Sequence, residues 1–346
     1  MTNLQHSAIK IPIWEYAYSG PVCIGKIKTI PDDFIVEEQL PFHPDGSGEH
    51  VFLQIEKCGE NTEYVARLLA RFAGVRQRDV SVAGLKDRHA RTTQWFSVWL
   101  PGKDAPEWQQ IETESIKVVQ SLRHARKLKR GVLSGNRFKI LIRELQGDKA
   151  KIEAQLQQIK ATGFPNYFGV QRFGHQGQNV NKALSLFQGA KVKREQRSIY
   201  LSAARSYLFN QLLARRLIEG NWNQAVSGDV CIFDQSNSYF KSTELDASVL
   251  QRIKLGEIHP AGLLFGKGER ETSALALEFE NTIIDSNAEL VDGLIKYDLK
   301  SDRRSLRIMV RDLQWEFKPD SELLLSFSLP AGSYATSLIR EIIEIE

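Results

Sequence analysis

The chain has 346 residues, of which 42% are hydrophobic and 25% are charged, and its formal net charge at pH 7 is +4. These fractions exclude a wholly disordered or fibrous chain, and the length predicts about two domains, in tandem or one inserted in the other. No apolar run approaches the roughly 18 residues of a membrane span, and the N-terminus lacks a leader-peptide pattern, so we expect a cytoplasmic protein.

The N-terminal half is predicted to alternate strands with a few helices. Short apolar alternations between proline, glycine and polar turns indicate strands, and apolar residues at helical spacing indicate helices. The predicted strands are 33–40, 49–57, 80–83, 93–100, 115–122 and 137–145, and the predicted helices are 61–72 and 148–161. Asp87 therefore falls in a loop between two strands.

The C-terminal half changes character. An aromatic and glycine-rich loop is followed by helical periodicity, and strand-like alternation returns near the end. The segments in order are the loop 166–177, helices at 180–187 and 198–218, strands at 306–317 and 323–328, and a final apolar helix. Strands at both ends of the chain around a helix-rich centre favour an inserted domain.

Charge is distributed unevenly along the chain. From Lys117 to Arg143 there are nine Lys or Arg residues and no Asp or Glu, whereas 32–49 holds six acids and no base. This segregation predicts one electropositive face suited to a polyanion. A solvated charged surface without a partner is the alternative, and the charges alone leave both interpretations open.

Motifs for phosphate and metal binding are missing from the sequence. It has no GxxxxGK[ST], and GLLFGKG at 262–268 lacks the preceding strand and downstream acid of a dinucleotide loop, so we interpret it as a turn. The seven histidines contain no HExxH and the three cysteines no CxxC, which argues against a metal site or a disulfide framework. We therefore predict no cofactor and no metal.

A carboxylate among basic residues marks the loop 84–90, which reads GLKDRHA. Neighbouring positive charge would keep Asp87 ionised and available as a nucleophile or a base. A turn aspartate that accepts backbone hydrogen bonds is the alternative. The string by itself does not distinguish a catalytic from a structural carboxylate.

Two aromatic strings lie close to the basic run in sequence. Phe138 follows the polar turn 134–137, where an aromatic ring can stack on an unpaired base, and a core position in the strand is the alternative. The segment 165–174, PNYFGVQRFG, interleaves three aromatic residues with Arg172, a composition that can present rings and backbone to RNA. A packed hinge between domains is the alternative there, and both interpretations can hold together.

In combination, these strings resemble the TruD family of tRNA pseudouridine synthases. The matching strings are Lys28, DFIVEE at 33–38, AGLKDRHA at 83–90, SGNRF at 134–138, NYFG at 166–169, LSAAR at 201–205, LPAGSYAT at 329–336 and LIR at 338–340. The resemblance implies an α+β fold, in which a pseudouridine synthase domain has a mixed, mostly antiparallel β-sheet and flanking helices. That domain would comprise 1–161 and 309–346, with a helix-rich TRUD domain inserted at 162–308.

The resemblance also implies the roles of individual residues. Asp87 matches the catalytic aspartate, Arg340 its salt-bridge partner, and Lys28 a residue that orients the substrate or Asp87. Phe138 would stack on the target uracil, and Asn136 would help to hold the site. Further contacts with the substrate are expected from Asn166, Tyr167, Phe168, Gln171, Arg172, Arg126, Lys127 and Arg130.

The implied reaction converts uridine 13 of tRNA to pseudouridine. The N-glycosidic bond breaks, the base turns, and C5 joins the sugar, with no net oxidation or hydrolysis. Residue identities leave open whether Asp87 attacks the substrate or removes a sugar proton, and both routes need it ionised. The expected partner is tRNA, and we expect a monomer that uses neither a membrane nor a small-molecule cofactor.

Two other classes of protein are kept as hypotheses. A noncatalytic RNA-binding protein or tRNA chaperone would share the basic face and the aromatic residues, but it would gain nothing from a carboxylate facing a polyanion. A small-molecule enzyme with an incidental basic face predicts no affinity for tRNA. Asp87 and Arg340 are the residues that favour an RNA-modifying enzyme over a pure binder.

Overall fold

The computed structural model of the protein describes residues 8–242 and 245–346, which form two compact units. The helical unit comprises the described residues before Val22 together with Glu153–Met309 and Ser333–Ile342. The sheet unit comprises Val22–Ile152, Val310–Gly332 and Ile343–Glu346. The division into domains at 161 and 308 stays a prediction, because compactness does not show which segments fold independently.

Strands are distributed over the whole described chain. In order they are β1 (Cys23–Lys26), β2 (Phe34–Gln39), β3 (His50–Cys58), β4 (Val80–Val82), β5 (Arg91–Trp99), β6 (Ile116–His124), β7 (Gly135–Gly147), β8 (Phe164–Pro165), β9 (Val230–Phe233), β10 (Tyr239–Lys241), β11 (Ile258–Leu264), β12 (Asp302–Ser305), β13 (Arg307–Ile308), β14 (Arg311–Lys318), β15 (Glu322–Pro330) and β16 (Ile343–Ile345). The strands predicted in the N-terminal half agree with the structure to within about two residues at most ends.

The α-helices are concentrated in the middle of the chain. In order they are α1 (Thr62–Phe72), α2 (Lys149–Thr162), α3 (Gln178–Phe187), α4 (Arg194–Ile218), α5 (Ala247–Lys254), α6 (Ala274–Ser286), α7 (Ala288–Lys296) and α8 (Ala335–Ile339). The described helices include none that is both long enough and apolar enough to cross a membrane.

One large sheet organises the sheet unit. Its strand order is β14-β15-β7-β2-β5-β3-β6, with β4 beside β5, and with β1 paired to both β7 and β16. The pairs β2–β5 and β1–β16 are parallel, and the other neighbours are antiparallel. The predicted α+β fold with a mixed, mostly antiparallel sheet is therefore confirmed.

Alternation along the long strand β7 shows how the sequence selects one face of this sheet. Phe138, Ile140 and Ile142 are buried, and Lys139 between them is exposed, because successive side chains of a strand point to opposite faces. A second apolar cluster covers another part of the sheet, where Val65 and Leu69 of α1 pack with residues of β3. The sheet therefore has buried apolar residues from several strands and from α1.

The helical unit has its own core around α3 and α4. Small residues of α4, Ala203 and Ala204, are fully buried there next to Phe209, so neighbouring elements can approach this helix closely. The unit also contains a four-stranded sheet in the order β10-β9-β11-β12, which the sequence analysis did not predict. Residues 262–264, interpreted from the sequence as part of a turn, lie in β11, so that interpretation was wrong for them.

The C-terminus differs from its prediction. The apolar helix expected to end the chain is the short α8, and it is followed by β16. Cys23 of β1 pairs with Ile343 of β16 in a parallel register. The prediction failed because the strand is only three residues long, and its partner lies near the opposite end of the sequence.

Candidate active site

Asp87 stands in the loop between β4 and β5, as the sequence predicts. Its side chain is 57% exposed, and its Oδ2 atom lies 2.6 Å from Lys28 Nζ. Its backbone carbonyl oxygen accepts a hydrogen bond of 3.0 Å from Lys57 Nζ. Asp87 is therefore a solvent-accessible carboxylate held by one ammonium group, with its main chain bonded to a second.

The basic residues beside Asp87 in sequence make other contacts. Lys86 Nζ lies 2.6 Å from Glu38 Oε1, and Arg88 Nε donates to the carbonyl oxygen of Gly59 at 2.9 Å. Arg91 pairs with Glu56 at 2.7 Å and with Asp32, which precedes β2, at 2.5 Å. The sequence analysis expected positive charge from these neighbours, but the ion pair of Asp87 is made by Lys28, 59 residues away along the chain.

Lys28 is positioned by an unusual backbone conformation. Its φ is +58°, in the left-handed region that residues other than glycine seldom adopt. Its Nζ atom lies 4.2 Å from the centroid of the Phe34 ring, a cation–π distance, as well as 2.6 Å from Asp87. The structure thus brings Lys28 and Asp87 together, as the resemblance implied.

Three aromatic rings meet on neighbouring strands of the sheet. Phe138 stacks on Phe327 at a centroid distance of 5.3 Å and meets Phe34 in a T-shaped contact at 6.2 Å. Phe138 is itself 7% exposed, so it is also the core residue of the alternative interpretation. The sequence analysis missed Phe34 and Phe327, although both stand in predicted strands, because strand order cannot be read from alternation alone.

Asn136 carries an unsatisfied polar atom close to these rings. Its Oδ1 atom is buried and has no hydrogen-bond partner among the described residues. An unpaired buried acceptor costs about 1–3 kcal/mol, so this oxygen is available to accept a hydrogen bond from a ligand or a water molecule. Asn136 lies two residues before Phe138 on β7 and hence on the same face of the strand.

Glu38, on β2, is a buried carboxylate of the sheet unit. It is 2% exposed, pairs with Lys86 and accepts the backbone N–H of Trp95 at 2.8 Å. Burial raises the pKa of Glu38, and the charges of Lys86 and Lys57 oppose that effect. Its contacts make Glu38 a support of the Asp87 loop.

The aromatic loop of the helical unit is largely an internal structure. Arg172 donates to the Tyr334 hydroxyl at 2.7 and 3.0 Å and to Ser202 Oγ at 3.0 Å. Asn166 Nδ2 donates to the Ser305 carbonyl oxygen at 2.8 Å, and the Asn166 side chain also accepts from Arg304. These contacts are those of a packed loop, and the predicted role of both residues in substrate binding stays a prediction.

The other residues of that loop that are predicted to bind substrate differ in their exposure to solvent. Tyr167 and Phe168 are buried, Tyr167 stacking on Trp14 at 5.9 Å, whereas Gln171 is exposed. Gln171 lines a cavity of about 630 Å³ within the helical unit, together with Trp14 and Arg340. A cavity of this size is in the range of small-ligand sites.

Arg340 makes its contacts within the helical unit. Its guanidinium donates to Glu341 Oε1 and to the Glu15 carbonyl oxygen, both at 3.1 Å, and lies 4.0 Å from the centroid of the Tyr16 ring. Glu341 is completely buried, and burial raises its pKa to about 7 despite the charge of Arg340. Asp87 belongs to the sheet unit, so the predicted pair with Arg340 stays a prediction.

The middle of the basic run, between β6 and β7, is an exposed loop. Arg126, Lys127 and Arg130 are exposed, as expected for residues that contact a polyanion. Leu128 anchors the loop, since its side chain is 2% exposed and its N–H donates to Ser97 Oγ at 3.1 Å. Among the described residues, no group of three or more His, Cys, Asp or Glu side chains could hold a metal ion.

Comparison with solved structures finds a chain with a similar fold. A crystal structure from Methanosarcina mazei, assigned to tRNA pseudouridine synthase D (TruD), matches with a TM-score of 0.75. The match covers 96% of each chain, and the two sequences are 24% identical. The likeness at this level of identity concerns the fold.

The family follows from sequence comparison. A family model described as tRNA pseudouridine synthase D (TruD) matches residues 10–185 and 175–342. A tRNA pseudouridine synthase D from Methylococcus capsulatus is 50% identical over 95% of this chain and 94% of its own length, and one from Hydrogenovibrio crunogenus is 40% identical over 98% of both. The chain belongs to the TruD family, which confirms the resemblance seen in its sequence.

Proposed function

We propose that this protein is a tRNA pseudouridine synthase that isomerises uridine 13, with Asp87 as its catalytic carboxylate. The observation that carries the proposal is the exposed Asp87 carboxylate, 2.6 Å from Lys28 Nζ, in a chain of the TruD family. The curated relatives from Methylococcus capsulatus and Hydrogenovibrio crunogenus bear the name of that activity. The choice of uridine and the role of Asp87 are our inferences.

The target base has to leave its stack before it can react. Extruding a nucleotide costs a few kcal/mol, which stacking and edge contacts in a pocket offset. Phe138, packed against Phe34 and Phe327, is the ring assigned to stack on the uracil, and the unpaired Oδ1 of Asn136 can accept the N3–H of uracil. We infer that Asn136 and Phe138 bind the uracil.

The reaction rearranges one nucleotide without a net change in atoms. The bond between N1 and C1′ breaks, the uracil turns, and a new bond joins C5 to C1′. The proton on C5 is then lost, and N1 gains one. Asp87 serves as nucleophile at the nucleotide or as the base that removes a sugar proton, and in both cases its carboxylate is held 2.6 Å from the ammonium of Lys28.

Phosphate contacts are assigned to the exposed basic loop. Arg126, Lys127 and Arg130 lie in one short segment without an acidic residue, and phosphate contacts of this kind supply affinity for RNA without reading sequence. In the helical unit, Gln171 is the exposed member of the predicted loop contacts. We propose that the enzyme acts on tRNA as a monomer and without a small-molecule cofactor.

The test of the proposed function is Asp87→Asn. We expect this variant to lose pseudouridine formation by at least about a thousandfold while its Kd for tRNA stays within about tenfold, because the carboxylate does chemistry and does not attract phosphate. The measurement maps pseudouridine in a tRNA transcript and determines Kd by filter binding. Asp298→Asn is the matched control, since Asp298 is also exposed and lies 3.0 Å from Lys267 Nζ.

The possible results separate the competing functions. Wild-type protein that binds tRNA but forms no pseudouridine would identify a noncatalytic RNA-binding protein. Wild-type protein without measurable tRNA affinity would favour the small-molecule enzyme. Substantial activity of Asp87→Asn would remove Asp87 from the catalytic role, and modification at another uridine would correct the assigned position.

A further inference from the structure

A completely buried lysine contacts the Asp87 loop. Lys57, on β3, is 0% exposed, and its ammonium donates to the backbone carbonyl oxygen of Asp87 at 3.0 Å. Lysine is almost never fully buried unless it is paired, because taking an ammonium out of water is costly. An apolar residue would fill the same strand position without that cost, so the ammonium itself needs an explanation.

Hydrogen bonds to other segments of the sheet unit hold the loop around Asp87. Lys86 N donates to Thr62 Oγ1 at 3.2 Å, and Arg88 Nε donates to the Gly59 carbonyl oxygen at 2.9 Å. Lys57 donates to the backbone carbonyl oxygen of Asp87 itself, and the charge of the donor strengthens this bond. It ties the main chain of an exposed carboxylate to a buried strand of the sheet.

We propose that Lys57 is a positioning residue for Asp87. Its ammonium fixes the main chain of Asp87, while the ammonium of Lys28 contacts the side chain. A reacting group has to be held to within about 0.5 Å, and a fixed buried donor achieves this better than a mobile surface side chain. The inference rests on the proposed function, since it takes Asp87 as the catalytic carboxylate.

The same group predicts a pH dependence. Burial lowers the pKa of Lys57 to about 8, and the charge of Asp87 opposes this effect. The other charged or titratable groups acting on the ammonium are Lys86, Glu60, Cys58 and Glu38. As the pH rises through about 8, Lys57 loses its charge, so we expect the single-turnover rate to fall there while tRNA binding changes little.

The decisive variant is Lys57→Met, which keeps an unbranched side chain one atom shorter than lysine and removes its charge. We expect a single-turnover rate at least about tenfold lower at pH 7, a Kd for tRNA within about threefold of wild type, and no further fall near pH 8. The Tm should be equal or higher, because the variant removes the cost of burying an ammonium group. Lys57→Arg should retain more activity and move the alkaline fall to higher pH.

Lys26→Met is the matched control. Lys26 is a lysine of the same unit, 2.6 Å from Glu144, and its side chain is 39% exposed. This variant should keep the wild-type rate and the wild-type pH profile. The contrast separates loss of the buried ammonium from loss of any lysine.

Other results would overturn the proposal. A Lys57→Met protein with the wild-type rate, or a rate reduced only in proportion to its unfolded fraction, would show a structural role alone. If this variant does not fold, the wild-type protein decides, because a flat rate between about pH 7 and 9 with intact tRNA binding contradicts the proposal. Loss of activity in Asp87→Asn together with full activity in Lys57→Met would refute the role of Lys57 and leave the proposed function standing.

Discussion

Three carboxylates show how burial decides what an acidic residue can do in this chain. Asp87 is more than half exposed and pairs with Lys28, so it is accessible to a nucleotide. Glu38 and Glu341 are buried, and burial raises the pKa of each although a cation lies close by. Exposure therefore selects Asp87 among them as the carboxylate that can react with a substrate.

Glu341 gives the stability of the protein a predictable pH dependence. Its folded-state pKa of about 7 lies above its ordinary value of 4.5, so the folded protein holds the proton more firmly than the unfolded chain. This contribution to stability is fully present below about pH 4.5 and is lost as the pH rises through about 7, up to about 3 kcal/mol. In Glu341→Gln this contribution is absent, so between about pH 4.5 and 7 the free energy of unfolding should fall less than it does in the wild type.

Urea unfolding at several pH values measures this effect as the difference between variant and wild type. Glu344→Gln is the control, because Glu344 is exposed and lies three residues further along the chain. A constant difference between Glu341→Gln and wild type from about pH 4.5 to 8 would show that Glu341 does not titrate in this range.

Among the structural elements, the loop between β6 and β7 is anchored by the buried Leu128 and exposes the charged side chains of Arg126 and Lys127. Reversing two charges in Arg126→Glu/Lys127→Glu should weaken tRNA binding at least about tenfold at moderate salt. The slope of log Kd against log salt should fall by roughly 0.7–0.9 for each lost phosphate contact. Filter binding at several salt concentrations measures both quantities.

A comparable change elsewhere tests whether position matters. Arg194 and Arg197 are exposed basic residues of α4, outside the basic run. Arg194→Glu/Arg197→Glu alters the net charge by the same amount and should leave the salt slope unchanged. Equal effects of the two double variants would indicate general charge attraction in place of specific phosphate contacts.

The pairing of β7 with β15 depends on a glycine beside Asn136. A Cβ atom at Gly135 would lie 2.3 Å from the backbone carbonyl oxygen of Leu329, and a backbone atom in a paired strand cannot move aside easily. Gly135→Ala should therefore destabilise the protein by about 1–3 kcal/mol in urea unfolding. Gly84→Ala is the control, since its nearest neighbours would lie 3.8 and 3.9 Å away, and an equally small effect at Gly135 would contradict the predicted clash.

On the scale of the whole molecule, the two residues expected to act together belong to different compact units. Asp87 is in the sheet unit and Arg340 in the helical unit. The resemblance of the sequence predicts that both are needed for the reaction. Arg340→Met should then reduce the rate strongly, and its effect should be much smaller in an Asp87→Asn background, because residues that act together are non-additive.

The measurement is a double-mutant cycle of single-turnover rates. Circular dichroism and Tm of each variant have to accompany it, because removing one partner of the buried pair with Glu341 can itself cost about 3–5 kcal/mol. Near-normal turnover by a folded Arg340→Met protein would exclude the pair. Additive losses would show that the two residues act independently.

Much of the local structure could be predicted from the sequence. Alternation in β7 and helical spacing in α1 depend on side-chain periodicity, which is a local property of the chain. The small sheet of the helical unit was missed because β9 and β10 have only four and three residues, too few for a period to be recognised. The terminal strand β16 was also missed because it has only three residues.

Motifs, periodicity and charge are properties of the linear chain, so the family, the position of Asp87 in a loop between strands, and the basic run could be predicted from the sequence. The charges that contact Asp87 could not. Its basic neighbours in sequence contact other groups, while Lys28 and Lys57 reach it from 59 and 30 residues away. A contact between distant residues depends on strand order and on which side chains are buried, and both are set when the sheet assembles as a whole.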